Sequence, residues 1–208
     1  MGKGKFIVVE GLDGSGKSTQ IKLLKEKLIK EGHRVYVTAE PTEFETGKYL
    51  RRILSESLMK DMYLQAALFL ADRLEHITSP INGIQGYLDK GFYVISDRYY
   101  YSSFAYQGTE SDMDWVMDIN LKCERMLKPD LCIFLDVNPD TCKKRIDTSR
   151  GKPELYEKDI EKIRSIRQNF FTVFDKLKDT HNIVIIDAND EIENINNKML
   201  EKVAETEI

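Results

Sequence analysis

Short, uniformly apolar runs alternate along this chain with longer segments whose apolar positions recur every three or four residues. Phe6-Ile-Val-Val9 has no polar position, as expected of a strand covered on both faces. After a glycine-rich turn, Ile21, Leu24 and Leu28 repeat at helical spacing among lysines and glutamates, and the pattern ends near Gly32. Val35-Tyr-Val-Thr38 predicts a second strand, stopped by Pro41. Helical stretches follow over about 47–58 and 63–89, the second interrupted around Pro80. Phe92-Tyr-Val-Ile95 reads as a third strand, 113–127 as helix, Leu131-Cys-Ile-Phe-Leu135 as a fourth strand and 139–147 as helix. A polar glycine-proline segment, Ser149-Arg-Gly-Lys-Pro153, precedes a charged helix over 157–178. Ile183-Val-Ile-Ile186 is the fifth strand, and an amphipathic helix runs from Glu191.

Five apolar strands separated by helices predict an α/β fold: a parallel five-stranded sheet with helices on both faces. No repeat or linker divides the chain, so residues 1–208 read as one domain. Ligands of such sheets bind at the carboxyl ends of the strands, near a switch point in strand order.

Composition narrows the function classes. Lys and Arg total 31 against 35 Asp and Glu, a net charge of -4, which argues against a protein that holds nucleic acid by its phosphates. No apolar run approaches a membrane span and no signal-peptide core follows Met1, so a cytoplasmic protein without a membrane partner is expected. Cys123, Cys132 and Cys142 show no paired spacing and read as reduced core residues. His33, His76 and His181 are scattered and form no metal site.

One segment carries specific chemistry. Gly11-Leu12-Asp13-Gly14-Ser15-Gly16-Lys17-Ser18-Thr19 matches G-x-x-x-x-G-K-[ST] between the first strand and first helix. Glycines let backbone N–H groups point inward as an anion nest, and the following helix aims its positive end at the same point. Lys17 suits the β- and γ-phosphates of ATP, and the Ser18 hydroxyl suits Mg²⁺. The fold is therefore expected to be of the P-loop NTPase type.

At the end of the third strand stand Asp97 and Arg98. A carboxylate there can hold the Mg²⁺ water shell, and an arginine offers a planar fork to phosphate. Phe69 and Arg73, four residues apart, share one helix face. On spacing alone they read as a core ring and a solvated guanidinium, and the tyrosine-rich run after Arg98 reads as core packing.

Taken together these segments resemble the thymidylate kinase family. The resemblance runs over nearly the whole chain: Val9-Glu-Gly-Leu-Asp-Gly-Ser-Gly-Lys17, Glu40-Pro41, Leu68-Phe-Leu-Ala-Asp-Arg73, Asp97-Arg-Tyr with Ala105-Tyr-Gln-Gly108, Lys128-Pro-Asp-Leu131, Phe134-Leu-Asp-Val137 and Asp187-Ala-Asn189. It implies a nucleoside-monophosphate-kinase-like domain that passes the ATP γ-phosphoryl group to dTMP, giving dTDP and ADP for deoxythymidine triphosphate supply. It also implies a short lid around 148–156 and a homodimer joined through helices beside the acceptor site.

Carried over by residue, the resemblance places Phe69 on thymine, Arg73 at its O4 carbonyl, and Ser103 and Gln107 at its N3 edge. Tyr106 crowds out a ribose 2′-hydroxyl. Asp13 meets the sugar 3′-hydroxyl or a neighbouring phosphate-bound group, Glu40 belongs to the acceptor side, and Arg51 contacts the monophosphate. Arg98 bridges donor and acceptor phosphates, with Asp97 near magnesium. The family places its charge-stabilising arginine either in the phosphate loop or in the lid. The loop position here is Gly14, so Arg150 is expected to supply the cation, near Lys152. Arg145 is expected on adenine, with Ala188 and Asn189 lining the same pocket. The chain departs from relatives at Ala39, Ser103 and Leu155, where Arg, Asn and Arg are often found. Rival readings are a kinase for another nucleotide or a deoxynucleoside, and a non-catalytic nucleotide-binding switch.

Overall fold

The computed structural model of the chain describes residues 4–56, 61–149 and 159–206. Its elements run β1 (Lys5–Glu10), α1 (Lys17–Lys30), β2 (Val35–Ala39), α2 (Glu45–Glu56), α3 (Met62–Thr78), α4 (Ile84–Asp89) and β3 (Tyr93–Asp97). They continue as α5 (Tyr100–Gln107), α6 (Met113–Leu121), β4 (Leu131–Asp136), α7 (Pro139–Ser149), α8 (Ile160–Leu177), β5 (Ile183–Asp187) and α9 (Ile192–Glu205). The strands form a parallel sheet in the order β2-β3-β1-β4-β5, as the apolar runs predict. Phe6 to Glu10 are all buried, although successive side chains of a strand point to opposite faces, so β1 is covered on both sides.

Register sets the position of the site. Val9 pairs with Asp97 and Ala39 also pairs with Asp97, so β1, β3 and β2 end level. The next residues of each strand, the phosphate loop, Arg98 and Glu40, therefore emerge side by side. The Arg98 N–H donates to the Val9 carbonyl and the Glu40 N–H to the Asp97 carbonyl, extending the ladder past the strand ends.

Three helical expectations change. The tyrosine-rich run is a helix, α5, whose residues are all buried except Ser102. A helix buried all round has no polar stripe, so no period marks it in the sequence. The helix expected over 113–127 stops at Leu121; tight turns follow, with the Cys123 N–H on the Asn120 carbonyl and the Met126 N–H on the Cys123 carbonyl, and the Leu127 carbonyl accepts the Tyr99 hydroxyl at 3.0 Å. The stretch 63–89 is two helices, separated where Pro80 lacks an N–H to continue the first. Of the cysteines, Cys132 and Cys142 are buried and Cys123 only half-buried.

Candidate active site

The loop between β1 and α1 depends on three glycines in left-handed or related conformations, Gly11 (φ 153°), Gly14 (φ 77°) and Gly16 (φ 94°). Gly16 caps α1 without a side chain, leaving the first N–H groups of the helix to a ligand. Lys17 is buried and donates to the Gly11 and Leu12 carbonyls, each at 3.1 Å. Burial, helped by the Arg98 charge, holds its ammonium below the usual lysine range. At Gly14 even a Cβ would lie 2.7 Å from the Cys142 carbonyl, so α7 packs directly on loop backbone. Arg145 from α7 donates to the Gly14 carbonyl at 3.1 Å.

A cavity of about 910 Å³ opens over this loop, lined by Asp13, Lys17, Ser18, Thr19, Arg51, Asp97 and Arg98 among others. Arg51 is held beside it by the Pro41 carbonyl (2.8 Å) and Glu43 (3.0 Å). Asp97 Oδ1 is buried in this wall with no hydrogen-bond partner among the described residues. Such an oxygen beside the exposed Ser18 is a hard-oxygen donor set suited to Mg²⁺, which binds few protein ligands and keeps its waters. No cluster of three or more His, Cys, Asp or Glu with metal-ligand geometry occurs among the described residues.

A second cavity, about 90 Å³, adjoins the first and is lined by Phe69, Arg73, Ser103, Tyr106 and Gln107. Arg73 is 1% exposed and held by the fold itself. Nε and Nη2 donate to Glu40 Oε2 at 2.9 and 2.6 Å, Nη2 to Ser103 Oγ at 3.0 Å, and Nη1 to Asn120 Oδ1 at 2.6 Å. A guanidinium has five N–H donors, so these four bonds leave one, on Nη1, for a carbonyl entering the cavity. Glu40 is fixed in turn by His76 Nδ1 at 3.1 Å, and His76 Nε2 meets the Thr38 hydroxyl at 2.7 Å. A carboxylate only accepts, so Nδ1 carries the proton. Asp72, next to Arg73 on α3, takes the Thr42 N–H and the Thr42 and Thr46 hydroxyls. Neighbouring residues of one helix thus pin the whole loop after β2.

The two cavities share Asp13, Glu40, Pro41, Leu54 and Arg98. At this seam Arg98 donates to Asp13 (2.7 Å), Ser102 Oγ (2.9 Å) and the Tyr106 hydroxyl (3.2 Å), and Tyr106 donates to Asp13 Oδ2 at 3.2 Å. Burial opposes the Arg98 charge, but Asp13, Tyr106, Asp97 and Glu10 together hold its pKa well above the ordinary value. Burial also pushes the Tyr106 phenol upward, so it stays protonated and able to donate.

Most residues expected to meet ligand therefore converge. Ala188 and Asn189 do not line either cavity; they tie the ends of β4 and β5, through the Asp136 carbonyl and the Asn138 N–H. Arg145 touches the loop backbone. Arg150, Lys152 and Leu155 lie outside the described residues. Sequence reasoning gave no role to Asn120, His76, Asp72 or Glu10. Only Glu10 leaves a signal, an acid ending an otherwise apolar buried strand.

Comparison with known proteins bears on what this pair of cavities serves. Residues 9–199 match the family model described as thymidylate kinase. The chain belongs to the thymidylate kinase family. It is 38% identical over 204 residues to the "Probable thymidylate kinase" of Pyrococcus horikoshii, covering 95% of both chains. The "Probable thymidylate kinase" of Staphylothermus marinus is 37% identical over 193 residues, 92% of this chain and 90% of the relative. The "Thymidylate kinase" of Leptospira borgpetersenii is 40% identical over 163 residues, 77% and 78% of the two chains. As a member of the thymidylate kinase family the chain is a nucleotide kinase, one that phosphorylates dTMP at the expense of ATP.

Proposed function

We propose that the reaction is direct in-line transfer of the ATP γ-phosphoryl group to a phosphate oxygen of dTMP, with no covalent enzyme intermediate. The observation that carries this reading is the seam: Arg98 and Asp13 stand where the loop cavity meets the small cavity, able to face both phosphates at once. A phosphate-monoester oxygen is already anionic near neutral pH, so positioning and charge dominate over general-base help.

In this reading residues 11–19 cradle the ATP phosphates, Lys17 neutralises them, and Ser18 with Asp97 would hold Mg²⁺, whose charge offsets that of the phosphates. Phe69 stacks on thymine, the spare Arg73 N–H meets O4, and Ser103 and Gln107 face the N3 edge. Tyr106 screens the sugar and Arg51 takes the acceptor phosphate. Arg150 supplies a closing cation from a lid around 148–156, while Arg145, Ala188 and Asn189 border adenine. We take the chain as a single domain working in the cytoplasm; no helix among the described residues is long and apolar enough to cross a membrane. Exposed Tyr63 and Leu64 of α3, with Trp115 of α6 edge-on to Tyr63 at 5.0 Å, support a homodimer through this face.

The deciding experiment measures ADP formation from Mg-ATP with dTMP, dUMP, UMP, dCMP or no acceptor. Turnover strongest with dTMP, weaker with dUMP and nearly absent with UMP supports these assignments. Faster turnover with another acceptor overturns the base and sugar contacts. Binding without acceptor-dependent turnover overturns the mechanism.

A further inference from the structure

Glu10 ends β1 fully buried and lines neither cavity, yet three hydrogen bonds converge on it. Its two oxygens do different work. Oε1 accepts the N–H groups of Tyr99 (2.9 Å) and Ser102 (3.1 Å), at the start of α5. Tyr99, the N-cap of that helix, makes no side-chain cap bond, so Glu10 supplies from 89 residues away the acceptor that a local Ser or Asp would give. Oε2 accepts the Ser102 hydroxyl proton at 2.6 Å, and the same hydroxyl oxygen accepts Arg98 Nη1 at 2.9 Å. A hydroxyl has one proton and two lone pairs. Committing the proton to Glu10 leaves the lone pairs for Arg98.

The acceptors of Arg98 named here, Asp13, Tyr106 and Ser102, all line the small cavity. Ser102 is backed by a carboxylate that no ligand reaches. The Arg98 backbone is also held in the left-handed region (φ 72°), its N–H on Val9 and its carbonyl on the Ser96 hydroxyl at 2.7 Å. Backbone and side chain of this arginine are thus both fixed from behind.

We infer that Glu10 is a positioning residue for Arg98, acting through the Ser102 hydroxyl, and so governs how the enzyme distinguishes a phosphorylated acceptor from its nucleoside. The inference rests on the proposed contact between Arg98 and the acceptor phosphate.

Two variants separate this role from the helix cap. Glu10→Gln keeps a carbonyl for the two backbone N–H groups but replaces the oxygen that takes the Ser102 proton. Ser102→Ala removes the link and leaves both N–H bonds in place. Affinities for dTMP and for thymidine are measured by calorimetry at about pH 8.5, above the value of about 7 to which burial pushes Glu10. Each variant is expected to lose about tenfold in dTMP affinity, as for one charge-assisted hydrogen bond, with thymidine affinity unchanged; Ser102→Thr restores dTMP binding. Equal losses for dTMP and thymidine would leave only a structural role and overturn the inference, as would unchanged dTMP affinity in Ser102→Ala. A wild-type chain that binds dTMP no better than thymidine would overturn the Arg98 contact on which the inference stands.

Discussion

The two ends of the site are built on opposite principles. Around the small cavity the charged groups are satisfied by the fold, Arg73 by Glu40, Asn120 and Ser103, Glu40 by His76, and the neighbouring loop by Asp72, while the buried Gln107 Oε1 makes no hydrogen bond among the described residues. Around the phosphate loop, helix N–H groups and a buried Asp97 oxygen lack protein partners among the described residues. The base end is a rigid mould whose shape is set during folding. The phosphate end is an electrostatic socket completed by what it binds. Recognition of a neutral base demands prior order, because one misplaced donor removes its selectivity. Stabilising a phosphoryl in transit demands cations aimed at it, and here Lys17 and Arg98 are held in place by loop carbonyls and by Ser102 and Asp13.

This contrast is breakable in four ways, from the largest effect downward. Lys17→Ala should reduce ADP formation on the order of a thousandfold while leaving the midpoint of urea unfolding nearly unchanged. Glu40→Ala should do the reverse at the base end. Arg73 would be left charged and buried without its partner, costing about 3–5 kcal/mol of stability in the same urea experiment. If Lys17→Ala cost stability and Glu40→Ala did not, the contrast would be wrong.

Third, Glu10, buried behind Arg98, makes stability depend on pH. Burial pushes its carboxyl up to about 7, against the lowering influence of Arg98, its hydrogen bonds with Ser102 and Tyr99, and Lys17. A raised value means the folded state binds the extra proton. Its contribution is therefore fully present below the unfolded value of 4.5 and is lost as pH rises through about 7. Relative to Glu10→Gln, the wild-type chain should lose about 3 kcal/mol of stability across that window. A flat difference would place the carboxyl in a wetter setting than the fold shows. Last, Phe69→Ala should raise the dTMP KM about tenfold with little change in kcat or stability, since the ring is only half-buried. An unchanged KM would refute the stacking.

Which of these features can be read without a structure follows from how far apart their parts lie. The phosphate loop is legible because its chemistry is backbone chemistry within nine consecutive residues. The strands are legible because a strand buried on both faces must be apolar, as Phe6 to Val9 are. β3 runs on to Asp97, past the apolar run, because Ser96 is buried by bonding the Arg98 carbonyl and so escapes a count of apolar residues. At the base end, resemblance pointed to Phe69 and Arg73, but nothing local could show what orders them. Glu40 and Asn120 are 33 and 47 residues from Arg73 in sequence, and no periodicity encodes those distances. A charged residue four positions from an aromatic reads as solvated until its buried partners are seen.

The contact between Gly14 and Cys142 has a consequence for how such a site can change over generations. With 2.7 Å between a Cβ at position 14 and the Cys142 carbonyl, and a backbone at φ 77°, no single substitution can place a side chain there while α7 keeps its seat. A cation at position 14 is thus unreachable in one step from this sequence. A lineage that moved its positive charge into the loop would first need a change in α7 that opened the space. Laboratory selection for Gly14→Arg should accordingly recover it only in company with substitutions near residue 142, and position 14 should behave as one half of a paired choice.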